Sequence, residues 1–200
     1  MTKKDSQLQL GVLVSGQGSN LQAIINACEK KEIPAEVVVV ISDQPDAQAL
    51  TRAQDHHIPA LTVERENFPN REAFEKEILR HLQHYRIDLV CLAGYMRLVG
   101  KTLLDPYPDR IMNIHPSLLP AFPGLDAQRQ ALEAKAKVTG CTVHFVDEQC
   151  DHGPIILQTK VEVLKNDTVE TLSARILKEE HLLYPKAIGL IAKNMLDKKR

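Results

Sequence analysis

Three short apolar runs in the first half of the chain constrain the fold more strongly than any other feature. They are Leu8–Val14, Val37–Ile41 and Ile87–Ala93. Apolar runs without polar alternation are typical of parallel strands that are covered on both faces. Parallel strands need long crossover connections, and helical patterns between the runs supply them. This half of the chain therefore predicts an α/β fold with an open, mostly parallel sheet and helices on both faces.

The second half of the chain predicts a different strand arrangement. Its strand patterns cover Arg110–Ile114, Val138–Val146 and Pro154–Leu164, and its helical patterns cover Val169–Leu183 and Tyr184–Lys198. A short turn-rich loop joins the second and third patterns, which predicts an antiparallel strand pair near the C terminus. The last two patterns are amphipathic, and Pro185 predicts a break between them. Since no repeat or long linker interrupts the chain, we expect residues 1–200 to form one domain around a Rossmann-like sheet.

A glycine-containing loop follows the first apolar run directly. It spans Ser15–Asn20 and leads into a helical pattern. Glycine lets the backbone approach a ligand closely, and amides at a helix N terminus bind anions, most often phosphate. The amides of Gly18, Ser19 and Asn20 are therefore predicted to hold a phosphate. The alternative is that the side chain of Ser19 or Asn20 only caps the helix.

A dinucleotide site, in an oxidoreductase or a regulatory module, is a second interpretation of the same loop. That fingerprint requires a third glycine, and Leu21 stands at its position. Asp43, at the end of the second apolar run, is the candidate for the ribose-binding acid. Its distance from Gly16 along the chain is longer than the usual spacing. The sequence therefore favours a phosphate loop over a dinucleotide site.

The stretch Asn113–Pro120 combines polar side chains with two prolines at the end of a predicted strand. Pro116 and Pro120 restrict the backbone, so we expect the loop after His115 to be stiff. Asn113 and His115 are two residues apart and share one face if the strand geometry persists. An amide that donates to a developing oxyanion, beside an imidazole that delivers a proton, suits acyl-group transfer. The alternative is that both residues only anchor the loop.

Two further features indicate an acidic ligand. Arg71 lies in the first turn of a helix that Asn70 is predicted to cap, where the helix dipole disfavours a cation. Met96–Val99, with Arg97 among apolar residues, follows the carboxyl end of the third apolar run, where ligands gather in open α/β sheets. This composition suits a flat ring system that carries acidic groups. A solvated arginine and a covered core turn are the alternatives.

Composition argues against several classes of partner. The chain has 25 Lys and Arg against 26 Asp and Glu, so we expect a small-molecule ligand and no nucleic acid. Four scattered cysteines predict reduced, mostly buried thiols and no metal site. Residues 1–6 are polar and the apolar runs are short, so we expect neither a secretion signal nor a membrane span. We therefore expect a cytoplasmic protein. We expect the basic tail, residues 198–200, to be frayed and solvated.

Two histidines near the C-terminal strand pair raise the question of a metal site. His144 lies in the alternating strand pattern and His152 in the following loop, and His115 and Asp151 would complete a ligand set. The spacing is not that of a zinc site. We therefore predict His144 to be a hydrogen-bonded strand residue and His152 to be an exposed loop residue.

Three motifs occur in order along the chain: Gly16-x-Gly18-Ser19-Asn20-Leu21, Asn113-Ile114-His115-Pro116-Ser117-Leu118-Leu119-Pro120 and Asp151-x-Gly153-Pro154-Ile155-Ile156. Together they resemble the folate-dependent formyltransferase family, in particular its phosphoribosylglycinamide formyltransferases, from about Leu8 to Tyr184. The second and third motifs also occur in methionyl-tRNA formyltransferase and formyltetrahydrofolate deformylase. Those relatives carry a further domain, which we do not expect in 200 residues.

The resemblance implies an enzyme of purine biosynthesis. The implied reaction moves the formyl group of 10-formyltetrahydrofolate, a co-substrate, to the primary amine of N1-(5-phospho-D-ribosyl)glycinamide, without a metal. It implies a phosphate-binding half at about residues 8–110, a catalytic and folate-binding half at about 111–200, and a monomer or homodimer. A hydrolase that releases formate from the same folate is the alternative within the family, since it would use the same residues on water.

The resemblance also implies a role for each site residue. The residues implied to bind the phosphoribosyl substrate are Gly18, Ser19, Asn20 and Glu180. Those implied to bind the folate are Arg71, Met96, Arg97, Leu98, Val99 and Asn113. Those implied to be catalytic are Asn113, His115 and Asp151. His115 would be the proton donor, and a nearby Asp151 carboxylate would favour its protonated form.

In the loop after the second motif, this chain departs from the pattern of the family that it resembles. The family commonly has histidines near positions 126 and 128, where this chain has Asp126 and Gln128.

Overall fold

The computed structural model describes residues 7–198, so the polar segment 1–6 and the last two residues of the basic tail lie outside the described residues. The strands are β1 (Leu8–Val14), β2 (Ala35–Ser42), β3 (Ala60–Thr62), β4 (Leu89–Leu92), β5 (Ile111–His115), β6 (Val138–Phe145) and β7 (Ile155–Glu162). The α-helices are α1 (Ser19–Glu29), α2 (Gln48–Asp55), α3 (Arg71–His84), α4 (Lys101–Leu104), α5 (Ala127–Glu133) and α6 (Val169–Lys198). A 3₁₀ turn spans Arg65–Asn67.

These strands form one sheet in the order β3-β2-β1-β4-β5-β6-β7. β1 to β5 pair in parallel, whereas β6 is antiparallel to both β5 and β7. The predicted open, mostly parallel sheet with an antiparallel C-terminal strand pair is therefore confirmed. The strand order reverses between β1 and β4, and ligands bind beyond the carboxyl ends of the strands at such a point.

Helices cover both faces of the sheet. On one face α1 and α6 bury apolar residues such as Leu21 and Tyr184, and on the other face α3 and α4 bury Phe74 and Leu103. The Tyr184 hydroxyl oxygen lies 3.0 Å from the carbonyl oxygens of both Leu92 and Met112. This contact ties α6 to the middle of the sheet, beside the carboxyl ends of β4 and β5.

The predicted break between two C-terminal helices is wrong. The segment forms the single helix α6, with Pro185 in its interior. An interior proline costs a helix about 3 kcal/mol. The neighbouring side chains of Leu183, Tyr184, Ala187 and Ile188 are all buried, and full burial of one large apolar side chain contributes about 1.5–3 kcal/mol. Packing against the sheet therefore outweighs the local preference for a break.

The four cysteines are free thiols, as predicted, and three of them are at least partly buried. Burial raises the pKa of Cys28 and Cys141 to about 12, so both stay neutral near pH 7. Cys150 is the exposed exception. Within residues 7–198, no helix is both long enough and apolar enough to cross a membrane.

Candidate active site

The glycine loop, residues 15–20, follows β1, and the adjacent segment 93–100 follows β4. The Ser15 amide donates to the Gly94 carbonyl at 3.1 Å, and the Met96 amide donates to Ser15 Oγ at 2.9 Å. A cavity of about 210 Å³ lies between the two segments. It is lined by Ser15, Gly16, Gln17, Gly18, Ser19, Asn20, Ala93, Gly94 and Met96. The predicted phosphate loop and the segment implied to bind folate therefore share one cavity.

The glycine loop has the backbone geometry of an anion site. α1 begins at Ser19, and Gly18 occupies its N-cap position with φ of 71° and no side-chain capping bond. Capping by Ser19 or Asn20 is therefore wrong. Within residues 7–198, the amides of residues 17–20 donate to no protein acceptor. Such amides give the start of a helix a partial positive charge that favours an anion.

Gly18→Ala is expected to destabilise the loop. A methyl group there would lie 2.6 Å from Ala49 Cβ and 2.8 Å from Ala49 Cα, and the positive φ disfavours any side chain. We expect the melting temperature to fall by at least about 2–4 °C. A loss of about 1 kcal/mol in the free energy of unfolding lowers the melting temperature by this much in a chain of this length. Gly16→Ala is the matched control, since a methyl group there meets nothing within 4 Å. Equal melting temperatures for the two variants in a thermal scan would contradict this explanation of Gly18.

Asn20 and Glu180 meet where α1 begins, beside α6. Asn20 Nδ2 donates to Glu180 Oε2 at 2.8 Å, and both side chains are buried. Burial raises the pKa of the Glu180 carboxyl, although the bond from Asn20 opposes the shift. Asn20 Oδ1 is buried and has no hydrogen-bond partner within the described chain. The pair joins the glycine loop to α6, so the two elements that carry the phosphoribosyl residues implied by the resemblance lie together.

Glu180→Gln is expected to stabilise the protein most at high pH. A carboxyl whose pKa is raised on folding gives stability below its unfolded pKa, near 4.3, and loses it as the pH rises through the folded value. Glutamine keeps an acceptor for Asn20 without this loss. We expect the melting temperature of the variant to exceed that of the wild type by about 2–4 °C at pH 8 and by less at pH 4.5. Glu179→Gln, on the neighbouring partly exposed residue, is the control, and a pH-independent difference for Glu180→Gln would contradict the prediction.

Asn113 and His115 lie on the same face of β5, and Asp151 approaches both from the loop between β6 and β7. His115 Nδ1 lies 3.3 Å from Asp151 Oδ2, and Asn113 Nδ2 lies 3.5 Å from Asp151 Oδ1. His115 Nε2 lies 2.8 Å from the carbonyl oxygen of Phe122. Both ring nitrogens therefore face acceptors, and only the imidazolium form of His115 donates to both. The structure thus brings together the three residues that the motifs singled out.

Asp151 is held as a carboxylate. Burial alone would raise its pKa, but the neighbouring His144 ring, the hydrogen bond from the Gly124 amide and the charge of His115 outweigh burial and lower the pKa to about 2. The Gly124 amide lies 2.8 Å from Asp151 Oδ2. The side chain therefore carries a negative charge beside His115 at any pH near neutrality.

His144 belongs to this cluster more closely than its sequence indicates. It pairs with Asn113 across β5 and β6, and its Nδ1 lies 2.8 Å from the Phe145 carbonyl, which can only accept. In the neutral ring, Nε2 is then an acceptor and lies 3.3 Å from Asn113 Nδ2. His144 Nε2 is also 3.7 Å from Asp151 Oδ1. The predicted strand role is correct but incomplete, because His144 also orients the Asn113 amide.

The loop after His115 is tied to β6, as its two prolines suggested. Thr142 Oγ1 donates to the Ser117 carbonyl at 2.6 Å and accepts from the Leu119 amide at 3.0 Å. Further along, Phe122 has φ of 56°, which is unfavourable for an aromatic residue. The Phe122 carbonyl that meets His115 therefore belongs to a strained residue.

The segment 93–100 is held by two buried carboxylates that lie far from it in the sequence. Asp43 Oδ2 accepts from Arg97 Nε at 2.5 Å. Glu75 Oε1 accepts from Arg71 Nε at 2.8 Å and from the Gly100 amide at 2.7 Å. Arg71 is therefore neither free nor simply solvated, and Asp43 is engaged by an arginine instead of lying open as a ribose-binding acid.

The apolar residues of the same segment differ in exposure. Met96 and Leu98 are 68% and 62% exposed, whereas Val99 is buried. The Leu98 carbonyl accepts from Arg71 Nη2 at 3.0 Å. The segment therefore presents two apolar side chains on a backbone that is fixed at both ends, and of residues 96–99 only Val99 is part of the core.

His152 is exposed, as predicted, and its Nδ1 lies 2.8 Å from Asp147 Oδ2. Asp126, with φ of 56°, is also exposed, and Gln128 lies in the first turn of α5. Both residues follow Gly124, whose amide donates to Asp151 Oδ2.

Comparisons with known proteins find similar sequences and similar structures. Residues 8–188 match the protein family described as formyl transferase. The phosphoribosylglycinamide formyltransferase of Bacillus subtilis (strain 168) is 46% identical over 180 residues, which cover 90% of this chain and 92% of that protein. The crystal structure of glycinamide ribonucleotide transformylase 1 from Symbiobacterium toebii matches with a TM-score of 0.93 and 56% identity, over 94% of this chain and 89% of that one.

A longer protein also contains a related segment. The trifunctional purine biosynthetic protein adenosine-3 of Drosophila melanogaster is 46% identical over 185 residues, which cover 92% of this chain. This chain spans only 14% of that protein.

Proposed function

This chain belongs to the formyl transferase family, and we propose that it transfers the formyl group of 10-formyltetrahydrofolate to the primary amine of N1-(5-phospho-D-ribosyl)glycinamide. The products are the N-formyl compound and tetrahydrofolate, in de novo purine biosynthesis. The observation that carries this function is the cluster of Asn113, His115 and Asp151 at the end of β5. β5 lies two strands from the glycine loop, about 10 Å away, which suits a substrate with phosphate and amine at opposite ends.

The glycine loop and α6 hold the phosphoribosyl end in this proposal. The amides of Gly18, Ser19 and Asn20 bind the phosphate, and Glu180 binds the sugar. Two observations support this assignment: the amides have no protein acceptor in the described chain, and Asn20 contacts Glu180. Fixing the phosphate also holds the amine near the formyl carbon, which lowers the entropic cost of the reaction.

The segment 96–99, Arg71 and Asn113 bind the folate in this proposal. Exposed Met96 and Leu98 supply apolar contact for a ring system, whereas Arg97 and buried Val99 shape the segment. Arg71 already contacts Leu98 and Glu75, so it contributes chiefly by fixing this surface. In this proposal one domain carries both sites. The phosphate loop lies in the half at about residues 8–110 and the catalytic cluster in the half at about residues 111–200, and both halves contribute to folate binding.

Asn113 and His115 stabilise the charge that forms when the amine attacks the formyl carbon. Attack turns the formyl oxygen into an oxyanion, to which an amide N–H and an imidazolium N–H can donate. Asn113 Nδ2 is held by two long contacts, 3.3 Å to His144 Nε2 and 3.5 Å to Asp151 Oδ1. Such weak bonds are readily exchanged for a bond to the substrate.

His115 is the proton donor to folate N10 in this proposal. Breaking the carbon–N10 bond requires a proton on N10, and the attacking amine must lose one, so the overall proton count is unchanged. The Asp151 carboxylate stabilises the imidazolium that provides this proton. In the described conformation, Nε2 contacts the Phe122 carbonyl, so delivery from Nε2 requires that this bond be exchanged for one to the substrate or a water molecule.

We place the enzyme in the cytoplasm, as a monomer or homodimer that acts on two small molecules without a metal. Its near-neutral net charge of −1 is consistent with a small-molecule enzyme rather than a nucleic-acid-binding protein.

The test is to follow folate absorbance after mixing the protein with 10-formyltetrahydrofolate, with and without phosphoribosylglycinamide. Formyl loss that requires the amine supports the transferase. Loss at the same rate without the amine would instead identify a hydrolase, and no loss in either mixture would overturn the assignment.

A further inference from the structure

α2 contacts the glycine loop at three consecutive residues. The Ala49 amide donates to the Gly16 carbonyl at 3.0 Å, and Arg52 Nε donates to the Gln17 carbonyl at 2.8 Å. A methyl group on Gly18 would collide with Ala49. The loop backbone is therefore held from one side by a single short helix.

These contacts fix the direction of the loop amides. In a trans peptide the C=O of one residue and the N–H of the next point in opposite directions. Because the Gly16 carbonyl points to α2, the Gln17 N–H points away from it. Because the Gln17 carbonyl points to Arg52, the Gly18 N–H also points away. α2 therefore turns two successive donors to the opposite side of the loop.

The opposite side is where the cavity lies. In the sheet, β1 stands between β2, which α2 follows, and β4, which the segment 93–100 follows. The cavity is bounded by the glycine loop and by Ala93, Gly94 and Met96. The donors that α2 orients are thus directed towards the space where the substrate phosphate is proposed to bind.

The cavity itself lacks a cationic side chain. Among the described residues that line it, none is charged. The Arg52 guanidinium lies behind the loop, and within residues 7–198 it forms no ion pair with a carboxylate. Its other bond, 3.4 Å to Gln22 Oε1, is long. The charge of the partly exposed Arg52 is therefore not cancelled by a carboxylate, and its bond to the Gln17 carbonyl polarises the peptide between Gln17 and Gly18.

We infer that Arg52 is a positioning residue for the phosphate of the phosphoribosyl substrate, acting through the Gln17–Gly18 peptide. The inference rests on the proposed function for the identity of the phosphorylated substrate. It assigns to Arg52 two separable effects, which are the orientation of a backbone donor and a positive charge behind an uncharged cavity.

Arg52→Met tests this role. We expect the KM for phosphoribosylglycinamide to rise about tenfold, which corresponds to about 1.4 kcal/mol, while kcat and the KM for the folate stay within about twofold. Arg52→Lys, which keeps the charge but not the Nε donor, is expected to recover part of the loss. The affinities for inorganic phosphate and ribose 5-phosphate, measured by calorimetry, are expected to fall in parallel.

Lys186→Met is the matched control. Lys186 also lines the larger groove beside α1 in which Arg52 lies, but within residues 7–198 it forms no hydrogen bond with the glycine loop. A purely structural role for Arg52 would lower the melting temperature and leave the KM and the phosphate affinity unchanged, and that result would overturn the inference. If the wild type shows no formyl transfer, the proposed function fails, whereas the calorimetric comparison still tests Arg52.

Discussion

The His115→Ala variant is expected to turn over about 10²- to 10⁴-fold more slowly than the wild type, the range that general acid–base help contributes. The physical reason is the loss of the group that carries the proton for folate N10 and donates to the oxyanion. His115 is buried between Asp151 and the Phe122 carbonyl. The measurement is kcat at saturating concentrations of both substrates.

Two further variants separate chemistry from folding. His115→Asn keeps an amide N–H near the position of Nδ1, which faces Asp151, but cannot deliver a proton, so it is expected to be as slow as the alanine variant. His152→Ala removes an exposed histidine that pairs with Asp147, and it is expected to keep near-normal turnover. Near-normal turnover by a folded His115→Ala protein, judged by circular dichroism, would refute the role of His115.

Replacing Asp151 with asparagine is expected to lower kcat by about 10²- to 10³-fold, although the protein stays folded. Asparagine keeps an oxygen for the Gly124 amide but brings no negative charge. The imidazolium form of His115 then loses its counter-charge, and Asn113 loses one of the two groups that orient it. The pKa of about 2 for Asp151 means that the wild type keeps this charge throughout the working pH range.

Asp147→Asn is the matched control, since Asp147 lies in the same loop and pairs with His152 instead of His115. It is expected to turn over at nearly the wild-type rate. If both aspartate variants were equally slow, the loop as a whole, and not the Asp151 carboxylate, would account for the loss.

The strand patterns and the three motifs predicted most of this architecture because they depend on local sequence. Continuous apolar runs indicated parallel strands, and the spacing of two residues placed Asn113 and His115 on one face. By contrast, Pro185 indicated a break that packing overrides. Burial of the neighbours of Pro185 stabilises the helix because they pack against the sheet. The local sequence pattern does not contain information about that contact.

The remaining features of the site depend on contacts between distant parts of the chain. Asn113 and His144 meet because of the register of β5 and β6, and Asp43 meets Arg97 across 54 residues. The Phe122 carbonyl reaches His115 through a residue with positive φ. A single sequence shows which of these residues are polar, but it does not show the register or the loop geometry that joins them.

The most direct measurement is the fate of the formyl carbon. With [¹³C]formyl-labelled 10-formyltetrahydrofolate and phosphoribosylglycinamide, NMR should show the label entering the amide of the N-formyl product at a rate that His115→Ala and Asp151→Asn reduce at least about 100-fold. Label that appears as free formate, or that reaches the amine equally fast with both variants, would contradict a formyl transfer carried out by this site.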